Sequence, residues 1–135
     1  MTGKNKLRNA AAELERANEC LREAQTLLAS SFAYGVASRA YYAVFHGTRA
    51  LLFSIGVEPR SHRAAMSLLG EHFVKTGLLS PAMARTAARM QRDREDADYM
   101  TEAVFTLEQA RELIAAAQGF LAEVRGLLSS PQGAR

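Results

Sequence analysis

Apolar positions along the 135-residue chain recur at spacings of three, four and seven, the mark of amphipathic helices rather than strands. Leu7, Leu14, Leu21 and Leu28 stand seven apart, with Ala10, Ala17 and Ala24 between them. That is a narrow seam of the a/d kind. It predicts a first helix over about residues 4–29, with Lys6, Glu13, Glu15, Arg16, Arg22 and Glu23 on the opposite, charged face. A second helix is predicted over about 31–55, capped by Ser30-Ser31 and stopped by Gly56. A third, over about 62–76, follows a Ser61 cap and ends at Gly77. Ser80-Pro81 starts a fourth, which runs to about Asp96. Residues 98–105 are less regular, and Thr106-Leu107-Glu108-Gln109 reads as a capping box. Behind it Leu107, Ala110, Ile114, Ala117, Leu121, Val124 and Leu128 keep a/d spacing. The fold class implied is all-α: an up-and-down helical bundle of four long helices plus a shorter fifth. One domain is expected over residues 1–128, with a flexible tail over 129–135.

Composition narrows the class little further. Apolar residues make up 48% and charged residues 23%, ordinary values for a globular domain. No run is apolar and long enough to span a membrane. The basic start of the chain lacks the apolar stretch of a signal peptide. With a single cysteine, Cys20, no internal disulfide is possible, and a cytoplasmic protein is expected. The net charge is +3, and 14 of the 17 basic residues are arginine, whose planar fork suits phosphate. A biased genome accounts for surface arginines equally well. The histidines at 46, 62 and 72 lack zinc spacing, and no glycine-rich phosphate loop is present. No metal or cofactor is therefore expected. Gly35, Gly47 and Gly70, isolated in helical pattern, read as places of close helix packing.

Two stretches carry candidate chemistry. In ASRAYYAVFHGTRALL, residues 37–52, seven positions separate Arg39 from His46. Seven residues turn a helix through about 700°, so the two share one stripe roughly 10 Å apart, with Tyr42 between them. Arginine neutralises a phosphate oxygen through paired hydrogen bonds, and histidine moves protons near neutral pH. The same spacing also fits a plain ion-pair network, with Arg39 on Asp96 or Asp98 and His46 a satisfied core histidine. The second stretch is RMQRDREDADYM, residues 89–100. Most of it reads as a solvated helix end, although Arg94, Asp98 and Tyr99 sit where the helix stops.

Ser38-Arg39-Ala40-Tyr41-Tyr42-Ala43-Val44-Phe45-His46 resembles the signature of the HEPN domain family (higher eukaryotes and prokaryotes nucleotide-binding). Ser61-His62 after the Gly-Val-Glu-Pro loop, Glu71 to Gly77, and Arg94 to Tyr99 resemble further elements of its small stand-alone prokaryotic branch. The resemblance implies a homodimer, for which the second helix is the expected seam. It implies a metal-independent endoribonuclease whose Arg-x4–6-His hallmark is met by catalytic Arg39 and His46. Tyr42, His62, Arg94, Asp98 and Tyr99 are then candidates for substrate or nucleotide binding. Prokaryotic members are often toxins encoded beside a minimal nucleotidyltransferase antitoxin. Others are non-catalytic nucleotide- or RNA-binding modules, or accessory subunits of a nucleotidyltransferase, and that is the alternative reading. The best-known toxin branch has a tyrosine two residues after the histidine that its partner modifies; here that position is Thr48.

Overall fold

The computed structural model describes residues 3–99 and 105–129. It is an up-and-down bundle of four long helices and one short one: α1 (Gly3–Ala29), α2 (Ala33–Ser54), α3 (His62–Leu69), α4 (Pro81–Tyr99) and α5 (Leu107–Ser129). Residues 130–135 of the expected tail lie outside the described residues, and Ser129 belongs to α5.

The central helix is α2, which packs against all four others. Its Val36, Val44, Leu51 and Leu52 are wholly buried, as is Tyr41, and each such aliphatic side chain contributes about 1.5–3 kcal/mol. On α1 the alanine half of the expected seam is its buried centre. Ala10, Ala17, Cys20 and Ala24 are sealed, whereas Leu7 is 57% exposed and Leu14, Leu21 and Leu28 flank the contact. Small residues let the α1 and α2 backbones approach closely. Gly47 makes room for the Leu121 side chain of α5, because a Cβ there would lie 2.7 Å from Leu121 Cδ2. Gly35 is also tight, against Leu27, but Gly70 faces open space and permits no close packing.

The helix ends follow local chemistry. Ser61 Oγ accepts from the Ala64 N–H at 3.0 Å, and Ser80 Oγ from Met83 N–H at 3.3 Å. Thr106 and Gln109 form the full reciprocal box, at 3.1 and 2.8 Å. Ser30-Ser31, expected to start α2, instead ends α1. Phe32 N–H bonds to Leu27 O and Ser31 N–H to Leu28 O, the Schellman pairing, with Ser31 at φ 65°. Phe32 is the residue before α2 and provides no side-chain cap. Gly56 and Gly77, at φ 78° and 80°, close α2 and the α3 segment with the same pairing. The third helix is not continuous: α3 passes into a π-helical turn over Gly70–Val74.

Candidate functional site

One stripe of α2 remains partly open. It carries Ser38, Arg39, Tyr42, His46 and Arg49, at the three-and-four spacing of a single helix face. The Arg39 guanidinium lies 5.0 Å over the Tyr42 ring. Its Nη2 is 3.5 Å from Ser38 Oγ and its Nη1 is 4.0 Å from Glu23 Oε2 on α1. The pairing with Asp96 or Asp98 that spacing left open does not form; the loose neighbour is Glu23. A guanidinium held this weakly keeps donors for an incoming anion.

His46 is held firmly. Its Nδ1 is 2.6 Å from Glu13 Oε2, and Arg49 Nε donates to Glu13 Oε1 at 3.0 Å. Glu13 is only 16% exposed, so it does not belong to the solvated face of α1. It falls on the buried stripe, three residues after Ala10 and four before Ala17. Burial alone raises the Glu13 carboxyl, but the bonds from His46 and Arg49 outweigh it and hold the group below its ordinary value. A carboxylate only accepts, so the proton on the bond belongs to Nδ1. Nε2 of the neutral ring is then a free acceptor, and among the described residues it is neither bonded nor sealed from solvent.

His62 joins the cluster from the start of α3. Its ring lies flat on Phe45, with centroids 4.0 Å apart and planes 6° apart. It meets Tyr42 edge-on at 5.9 Å, and its Nδ1 is bonded to the Tyr41 hydroxyl. Tyr41 and Phe45 are core. Arg94, from α4, lies over the Tyr41 and Tyr42 rings at 5.1 and 5.8 Å, and its Nη1 bonds Asp98 at 3.2 Å. Arg39, Tyr42, His46, His62 and Arg94 thus converge on one surface, with the more exposed Asp98 paired to Arg94. Tyr99 stands apart, 77% exposed at the last residue of α4. Thr48 is sealed and donates to the Val44 carbonyl, so that position offers no accessible hydroxyl.

Sequence reading missed Glu13 and Arg49. Arg49 extends the Arg39–Tyr42–His46 stripe by one more step of three, a signal that was present. Glu13 had only its place on the alanine stripe of α1 to mark it. Among the described residues, no three His, Cys, Asp or Glu side chains gather where they could hold a metal ion.

Known proteins bear on this geometry. A HEPN domain model matches residues 10–127. A UPF0332 protein of Thermotoga maritima is 32% identical over 113 residues, spanning 84% of this chain and 86% of that protein. A Methanocaldococcus jannaschii protein named as a "putative toxin" is 31% identical over 117 residues, 87% of each chain. The crystal structure of TT1696 from Thermus thermophilus superposes with a TM-score of 0.76 at 21% identity, over 87% of this chain and 97% of that one; it supports the fold alone. With the domain model covering nearly the whole bundle and relatives matched over more than four-fifths of their length, the chain belongs to the HEPN domain family.

Proposed function

We propose that this protein is a metal-independent endoribonuclease that works as a homodimer and serves as the toxin of a two-gene module with a minimal nucleotidyltransferase. One observation carries the reading: His46 is oriented through Nδ1 by a mostly buried carboxylate, with Nε2 open on the α2 stripe that also carries Arg39. That is the arrangement a proton-transferring imidazole needs. The name of the Methanocaldococcus relative supports the toxin role.

In the proposed reaction His46 Nε2 takes the proton of the ribose 2′-hydroxyl. The 2′-oxygen attacks phosphorus, and the bond to the 5′-oxygen breaks. A protonated imidazole, supplied by the second copy of the chain, gives its proton to the leaving oxygen. The products are a 2′,3′-cyclic phosphate and a 5′-hydroxyl. Arg39 holds the phosphate as charge grows on its oxygens. The second copy would dock over the open stripe of α2, because beyond its first turn the rest of that helix is buried inside the protomer. A two-fold axis there places two copies of Arg39 and His46 at one groove.

The test is cleavage of a labelled RNA pool in EDTA, beside His46→Ala and a matched DNA. Wild type should cut RNA, leave cyclic phosphate ends and spare DNA, and the variant should be inactive. If wild type and His46→Ala both fail to cut but bind RNA equally, the non-catalytic binding module takes its place.

A further inference from the structure

His62 differs from His46 in what holds it. Ser61 caps α3, so the histidine beside it has no capping duty. Three aromatic rings of α2, those of Phe45, Tyr41 and Tyr42, fix its plane. The Tyr41 hydroxyl is wholly buried, and burial pushes its pKa up to about 12. It therefore keeps its proton, and because His62 Nδ1 is the one partner of this buried hydroxyl among the described residues, the O–H donates there; an Nδ1–H would leave the hydroxyl hydrogen buried and unpaired. Nδ1 is the acceptor, and so the ring proton sits on Nε2. That atom has no protein partner among the described residues and is not sealed from solvent.

Two arginines act on this ring, Arg94 from α4 and Arg49 from α2. Arg94 is paired with Asp98, and Arg49 shares Glu13 with His46. Burial first, then Arg94, His46 and Arg49, push the His62 pKa below its ordinary value, so the ring stays neutral near pH 7. Its one free nitrogen has no lone pair for a base, and a neutral imidazole is no acid. What it offers is a fixed N–H beside a cation.

We infer that His62 Nε2–H and the Arg94 guanidinium form a second anion subsite, which takes a phosphate oxygen of RNA lying along the Arg39–His46 stripe. This rests on the RNA-directed reading above and names what that reading leaves open. His62 is a binding residue and moves no proton. The two imidazoles flank the same Phe45 ring, at 5.5 and 4.0 Å, so one strand reaches both.

Two measurements test it. Nitrogen-15 NMR of the histidine rings in the wild type should show His62 as the Nε2–H tautomer from pH 6 to 8, and Tyr41→Phe should disturb it. A ring protonated on Nδ1, or charged at pH 7, overturns the assignment. Binding of a 2′-O-methyl RNA oligonucleotide, which cannot be cleaved, should weaken about tenfold in His62→Ala. His62→Gln, whose amide N–H takes the place of Nε2–H, should recover most of that loss. Wild-type affinity in His62→Ala, or no recovery in His62→Gln, overturns it. Failure of the ribonuclease reading shows separately, as absent cleavage by a wild type that still binds through His62.

Discussion

Glu13 is the side chain on which the site turns. It accepts from His46 and Arg49 at once and is mostly buried. Glu13→Gln keeps the shape but loses the charge, and should cost about 1–3 kcal/mol of stability, the range for hydrogen bonds between charged groups. An amide can also present its N–H to Nδ1 and trap the wrong tautomer, so cleavage should fall with stability. The pH dependence follows from the direction of the shift. Because the folded carboxyl lies below its unfolded value of 4.5, its contribution is complete above about pH 4.5 and is lost as pH falls through the folded value. Urea denaturation at pH 7 and at pH 3–4 should show wild type losing this increment on acidification and Glu13→Gln having none to lose.

Three helix ends in this protein share one construction. Gly56 and Gly77 supply the left-handed residue that it needs, whereas at the end of α1 the residue is Ser31 at φ 65°. A side chain in that region costs roughly 1 kcal/mol. Ser31→Gly should therefore stabilise the chain by about 0.5–1 kcal/mol and raise Tm by about 2–4 °C. Calorimetry would show it, and an unchanged or lower Tm would mean that Ser31 serves some other purpose. The α1–α2 turn misled the sequence reading for the same reason. A serine pair is a good N-cap by composition, and only the backbone reveals that it closes the preceding helix.

At the level of the bundle, the site depends on how closely α5 supports α2 from behind. Gly47 follows His46 and leaves no room for a Cβ against Leu121 and Phe120. Gly47→Ala should cost about 1–3 kcal/mol, because the wholly buried Leu121 side chain has to shift within a packed core. It should also lower cleavage at temperatures where the fold survives, by shifting His46 against Glu13. A thermal melt and an RNA assay on the same preparation separate the two effects. If Gly47→Ala melts like wild type, the contact with α5 is slacker than its geometry implies.

The sequence by itself determined the helices, most of their ends and the shared stripe of Arg39, Tyr42 and His46. These depend on backbone periodicity and on capping within a few residues, so neighbours along the chain suffice. It also carried the family signature. Glu13 beneath His46, the Tyr41 hydroxyl on His62 and Arg94 above the tyrosines required the tertiary structure. Glu13 is 33 positions from His46, and Tyr41 is 21 from His62. Periodicity fixes where a side chain lies around its own helix, but not which neighbour that face meets. The α1 seam shows the difference: periodicity put leucines and alanines in one seam, and packing against α2 buried the alanines most deeply, bringing Glu13 inward with them.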